Sequence, residues 1–215
     1  MAGVVLRDYW RSSSAYRVRI GLNLAGIAWA SAPVDLLKGE QRGAGHLAQN
    51  PQGLVPVLEI DGLRLTQSLA ILEYLDEVHG AGFLPGDAAG RARVRALAHA
   101  VAMEIQPVCN LRVAKWAVEA SGGAITTEAW MRRFIAGGLA DLEAMLGEGA
   151  GDYCHGDRIG MADICLVPQV YNARRWGVDL EAMPRIRAIV ERAEALAPVA
   201  AAHPDRVRPI PQAGA

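Results

Sequence analysis

Tyr9-Trp10-Arg11-Ser12-Ser13-Ser14-Ala15-Tyr16-Arg17-Val18-Arg19-Ile20 decides how the chain begins to fold. The apolar run Val4-Val5-Leu6 just before it suits a buried strand. After it, Val18, Leu22 and Ala25 return at helical spacing, and Gly26 follows as a stop. Three serines therefore stand where a strand gives way to a helix over about Ser13–Leu24. Serine caps a helix because its oxygen takes a backbone N–H that has no intrahelical acceptor. One cap needs one serine, and three are present. A helix N-terminus also favours an anion. If that anion is a thiolate, its pKa falls from the usual value of about 8.5.

Outward from this stretch, the first 80 residues alternate strands and helices. Ser31–Leu36 reads as a second strand, and Leu37–Gln49 as a loop with a short helix. Val57-Leu58-Glu59-Ile60 and Leu63-Arg64-Leu65 flank Asp61-Gly62, a hairpin signal, and Ser68–Val78 is helical. Strands joined by a crossover pair in parallel, and hairpin strands pair antiparallel. Gly80–Gly90 is a linker. Beyond it the pattern is helical, with helices expected at about Ala88–Ala120, Thr126–Leu146, Met161–Trp176 and Pro184–Ala195. Pro107 should kink the first of these. Pro204–Ala215 reads as a tail lying loosely on the surface. The expected division is 1–82 as an α/β domain and 88–215 as an all-α domain.

Composition narrows the class. The chain has 215 residues, 52% of them hydrophobic, enough for a sizeable core. Its 22 basic and 23 acidic residues nearly cancel, which points away from nucleic acid and membrane surfaces. No run of 18 apolar residues suggests a spanning helix. The short apolar start lacks the basic region of a secretory signal, so a cytoplasmic location is expected. Cys109, Cys154 and Cys165 lie in apolar surroundings without metal-ligand spacing, and read as buried, reduced thiols. No metal site is expected.

Ser12-Ser13-Ser14-Ala15-Tyr16-Arg17-Val18-Arg19-Ile20 resembles the SSCSWRVRI signature of zeta-class glutathione transferases, which include maleylacetoacetate and maleylpyruvate isomerases. The likeness continues in Asn50-Pro51-Gln52-Gly53-Leu54-Val55-Pro56, in Gln67–Leu75, in Ile105-Gln106-Pro107 and in Met161–Val170. It spans about residues 4 to 200. It implies a thioredoxin-like α/β N-terminal domain followed by an all-helical C-terminal domain, and a homodimer. It also implies a cis bond between Val55 and Pro56. Asp163 would start a helix through half of a capping box, because Gly160 stands where the family has Thr or Ser.

The resemblance further implies a reaction. Maleyl substrates carry a cis double bond between carbonyl and carboxylate groups. A thiolate that adds to this bond leaves a single bond about which rotation is free, with an enolate beside it. Expelling the thiolate then gives the trans isomer. Such a site needs thiolate stabilisation and cations for the acidic groups. By match, Ser12 and Ser13 supply the hydroxyl donor to the sulfur, with Ser12 slightly preferred. Ser14 stands where the family has cysteine, so the thiol must come from glutathione. Val55 would pair with the glutathione backbone, Gln67 and Ser68 with its γ-glutamyl carboxylate, Gln106 with the same molecule, and Lys38 with its glycyl end. Arg11 and Arg175 would act on the anionic substrate, with Arg112 and Asn110 on the substrate side. Leu111 replaces the first of two adjacent arginines that maleylpyruvate isomerases carry there. Arg17 and Arg19 read as structural helix residues.

The implied activity is a glutathione-dependent cis–trans isomerase acting on maleylacetoacetate in aromatic-ring catabolism. Isomerisation of maleylpyruvate, and glutathione transfer to or dehalogenation of small α-halo acids, are the alternatives.

Overall fold

The computed structural model describes residues 3–209. Strand β1 (Val4–Asp8) runs parallel to β2 (Trp29–Pro33), with Leu6 opposite Ser31. Helix α1 (Ser13–Leu24) makes the crossover between them, with the bounds expected from its serines and Gly26. The second strand lies earlier than Ser31–Leu36. The Asp35 carboxylate accepts the N–H of Leu37 at 2.9 Å, and that local turn ends the extended backbone after Pro33. A 3₁₀ turn (Glu40–Arg42) and the short helix α2 (Ala44–Leu47) follow. The hairpin of β3 (Val57–Ile60) and β4 (Leu63–Thr66) turns at Asp61-Gly62, and helix α3 is Ser68–His79. β3 also pairs antiparallel with β1, giving the sheet order β2-β1-β3-β4. Leu6, Leu58, Val18, Leu22, Ile71, Leu72 and Leu75 are fully buried at the core of this layer.

The contacts divide the chain into two units. One holds the residues up to Ala81 together with those from Leu196 on, and the other is Gly82–Ala195. The sequence pattern assigns all of 88–215 to the helical unit. The last stretch groups with the sheet because α1 holds it there. Arg19 donates to the carbonyl of Ala202 at 3.0 Å and Asn23 to that of Pro198 at 2.9 Å. This stretch forms two short helices, α10 (Ala197–Ala201) and α11 (Pro204–Val207), the second of them within the loose tail expected from Pro204. Residues 210–215 of that tail lie outside the described residues.

The second unit is helical. Its expected first helix, Ala88–Ala120, is broken. α4 (Ala88–His99) passes into a π-helical turn (Ala100–Ile105) and the short α5 (Gln106–Val108), and α6 (Leu111–Ala120) then starts afresh. Pro107 has no N–H to continue the ladder, and the Asn110 side chain accepts from Arg112 N at 3.1 Å, which caps the new helix. Helices α7 (Thr127–Met145), α8 (Met161–Arg175) and α9 (Pro184–Glu194) complete the unit. At the start of α8 the buried Asp163 accepts from Gly160 N and from Cys154 N, each at 2.8 Å. A Cβ on Gly160 would lie 2.9 Å from the carbonyl oxygen of Phe83. The position therefore has no room for Thr or Ser, and half of the capping box remains.

Candidate functional site

The serine cluster sits at the head of α1. Ser12 is the N-cap, and its Oγ accepts from Ala15 N at 3.2 Å. A hydroxyl that accepts one hydrogen bond still has its own hydrogen to donate. Ser13 and Ser14 form the first turn beside it and are partly exposed. The first N–H groups of a helix lack intrahelical acceptors and carry partial positive charge. A thiolate placed here meets a hydroxyl donor and the positive end of a 12-residue helix.

The loop before the cluster is held from beneath. Arg19, 0% exposed, donates to the Asp8 carboxylate at 2.7 Å and to the Trp10 carbonyl at 2.9 Å. Breaking such a buried ion pair costs about 3–5 kcal/mol, so the loop geometry is fixed. Above it, the Arg11 guanidinium lies 4.9 Å from the centre of the Trp10 ring and donates to the Tyr9 hydroxyl at 3.0 Å.

Two further segments of the same unit carry expected residues. Val55 stands just ahead of β3, outside the ladder, and its bond to Pro56 is cis. The loop presenting it is braced at the Leu54 carbonyl, which takes hydrogen bonds from Asn50 Nδ2 and the His46 ring, both at 2.9 Å. Gly53, at φ 62°, turns in a space where a Cβ would meet Arg42 at 2.9 Å and the Gln41 carbonyl at 3.0 Å. At the head of α3, Gln67 holds φ 66°, a conformation costing a non-glycine residue about 1–3 kcal/mol. Its amide donates to Gln52 Oε1 at 2.8 Å. Ser68 follows, 5% exposed, and its hydroxyl accepts from Arg17 Nη1 at 3.3 Å. Arg17 itself is 1% exposed. A buried guanidinium thus stands behind the serine expected to bind a carboxylate, a contact the sequence reading did not foresee. Lys38 is exposed on the turn after β2, its N–H toward Asp35 at 3.4 Å.

The other expected residues belong to the helical unit. Gln106 begins α5, and Asn110 and Arg112 flank the start of α6, Arg112 exposed. Arg175 ends α8, reaching Asn172 Oδ1 at 3.4 Å, with its guanidinium 5.9 Å from the Trp176 ring centre. Its neighbour Arg174 is committed to Glu194 at 2.7 Å. Two of the thiols, those of Cys109 and Cys154, are poor nucleophiles. Burial pushes Cys109 up to about 11, and raises Cys154 too, with the nearby Asp163 adding to the effect. A cavity of about 270 Å³ in this unit, between the 82–86 linker and the loop before α8, is lined by none of the expected site residues. Among the described residues no cluster of three metal-ligating side chains occurs, and no helix is long and apolar enough to cross a membrane.

Residues 11–78 match the model of the glutathione S-transferase N-terminal domain, and residues 126–197 that of its C-terminal domain. A maleylacetoacetate isomerase of Rhizobium meliloti (strain 1021) is 58% identical over 95% of this chain and 98% of its own length. The crystal structure of maleylacetoacetate isomerase from Anaeromyxobacter dehalogenans 2CP-1, with glutathione bound in its active site, is 50% identical. It covers 99% of this chain and 98% of its own, with TM-score 0.86. A holo structure of maleylpyruvate isomerase, described as a bacterial glutathione S-transferase in zeta class, is 38% identical, covers 98% and 100%, and has TM-score 0.90. The chain belongs to the zeta class of the glutathione S-transferase family. As a zeta-class transferase it has the thioredoxin-like sheet and the helical unit expected of that fold. It differs from the class signature at Ser14, Ala15 and Tyr16, and has Gly160 at the head of α8.

Proposed function

We propose that this zeta-class transferase is a glutathione-dependent cis–trans isomerase of maleylacetoacetate. The observation that carries the reading is Ser12. Its hydroxyl is free to donate at the head of α1, in a motif with no protein thiol, so the reacting sulfur comes from a cosubstrate. The likeness to maleylacetoacetate isomerases over nearly the whole of both chains selects the substrate.

The residues present suit glutathione. Ser68, backed by Arg17 and set at the head of α3, offers a hydroxyl, backbone N–H groups and positive charge to a carboxylate. Gln67 adds an amide beside it, and Val55 offers unpaired strand edge to an extended peptide. Lys38 and Gln106 are assigned to the remaining polar groups. Bound glutathione supplies the thiolate that attacks the cis double bond and departs after rotation. Ser12, with Ser13 beside it, keeps that sulfur ionised. Arg11 and Arg175 hold the substrate's carboxylate and the charge that develops on its carbonyl oxygen, with Arg112 and Asn110 on the substrate side.

Maleylpyruvate is the second reading, favoured by Arg112 and by the structural likeness to a maleylpyruvate isomerase. Leu111, where those enzymes carry a second arginine, weighs against it. The protein is further proposed to be a cytoplasmic homodimer, which sedimentation at micromolar concentration tests against the 22.9 kDa chain mass. The deciding experiment follows maleylacetoacetate and maleylpyruvate with and without glutathione. Turnover of maleylacetoacetate that requires glutathione and leaves its concentration unchanged supports the proposal. Full turnover in glutathione-free buffer overturns it.

A further inference from the structure

Trp10 carries two guanidinium groups. The Arg11 guanidinium carbon is 4.9 Å from its ring centre and that of Arg208 is 5.0 Å from the same point. The two cations are therefore about 10 Å apart at most. Arg208 is exposed and follows α11, near the end of the described chain. Buried Arg19 bonds both the Trp10 carbonyl and the Ala202 carbonyl, tying the site loop to the C-terminal stretch that carries Arg208. Among the described residues neither Arg11 nor Arg208 has a carboxylate partner.

Two like charges this close, both uncompensated, repel each other, and an anion between or beside them relieves that repulsion. The aromatic ring orients both groups without neutralising either. Trp10 is two residues from Ser12, at most about 7 Å between Cα atoms, so an anion held over the ring lies beside the thiolate position. One arginine serves one carboxylate; two guanidinium groups on one ring suit a ligand with two carboxylates.

We propose that Arg208 is an anion-binding residue of the substrate side, acting with Arg11 around Trp10 to select dicarboxylates over monocarboxylates. This rests on the isomerase reading, and it assigns to the C-terminal stretch a part in substrate choice.

Succinate and butyrate share a four-carbon skeleton and differ by one carboxylate, so their binding to the glutathione-saturated protein isolates the second charge. By calorimetry, Arg208→Gln should weaken succinate about fivefold, the scale of one exposed charged contact, and move butyrate less than twofold. Arg208→Lys should restore succinate to within twofold of the parent. kcat/KM for the maleyl dicarboxylate should fall by a similar factor, mainly through KM. Arg208→Met, with a similar apolar stem, repeats the test if the Gln variant folds poorly. Equal weakening of both ligands, no weakening of succinate, or no succinate binding by the parent overturns the proposal. A parent that binds succinate through Arg208 but isomerises nothing leaves this inference standing and removes the isomerase reading.

Discussion

Arg17 in α1 donates to the hydroxyl of Ser68, the first residue of α3, at 3.3 Å, with both side chains buried. One contact thereby joins the helix whose head is proposed to hold the sulfur to the helix whose head is proposed to hold the carboxylate. Ser68→Ala removes the hydroxyl and takes an acceptor from a buried cation. Glutathione affinity should fall about 10- to 100-fold, and stability by about 1–3 kcal/mol. Calorimetric titration and urea unfolding read the two effects. Affinity within twofold of the parent would remove Ser68 from the site.

Ser12 caps α1 and is proposed to donate to the sulfur, and two measurements tell the roles apart. Ser12→Ala loses the cap, at about 1 kcal/mol of stability, and the donor to sulfur, at about 100- to 1000-fold in kcat. Without that donor the bound thiol ionises less readily, so the rising limb of the pH–rate profile should move to higher pH. Ser12→Thr keeps the hydroxyl and should keep the limb in place. An unmoved limb in the alanine variant would shift the sulfur donor to Ser13.

Isomerisation needs cations for a carboxylate and for a developing enolate, whereas conjugation of a neutral aryl halide needs neither. Arg11→Ala and Arg175→Ala should each lower isomerase kcat/KM by about 30- to 1000-fold, the loss of about 2–4 kcal/mol of transition-state stabilisation. Glutathione binding should hardly change. If both variants stay within threefold of the parent, the substrate does not bind through these arginines.

Asp163 is a stability residue. Its carboxylate takes the buried N–H groups of Cys154 and Gly160, and Asp163→Ala leaves both without an acceptor. The cost should be about 2–5 kcal/mol in urea unfolding, while Asp163→Asn, which keeps one carbonyl oxygen, should lose less. A loss under 0.5 kcal/mol would contradict this role.

Cys109 sets an alkaline limit. Burial raises its thiol to about 11, above the usual value of about 8.5. Between those values the unfolded chain releases the proton that the folded chain keeps, so this group's stability contribution falls as pH rises through the window. Cys109→Ser should flatten the decline of unfolding midpoint between pH 9 and 11. Below pH 8 the folded protein should resist iodoacetamide, because little thiolate exists. Rapid alkylation at Cys109 near neutrality would refute the raised pKa.

The sheet, the head of α1 and the hairpin were legible because each rests on a local signal: serines before an apolar helical period, or Asp-Gly between alternating strands. The cis bond at Val55–Pro56 followed from likeness to a family, since nothing in the neighbouring residues separates it from an ordinary strand start. Arg17 was read as structural because helical spacing says which face a residue takes but not which partner, 51 positions away, its guanidinium meets. The break at Ala100–Asn110 was read as a kink at Pro107, yet the chain unwinds one turn earlier and Asn110 recaps it. The grouping of α10 and α11 with the sheet has no local signature at all. It depends on Asn23 and Arg19, more than 170 residues away along the chain.

That last arrangement bears on how the protein is made. Arg19 is buried early in the sequence, but the carbonyl of Ala202 that completes its hydrogen bonding is synthesised near the end. A nascent chain that has released only its first hundred residues has the sequence of the strands and of α1 but not the carbonyl of Ala202. The sheet unit is begun first and finished last, because the segment that holds Ala202 is made only after Gly82–Ala195.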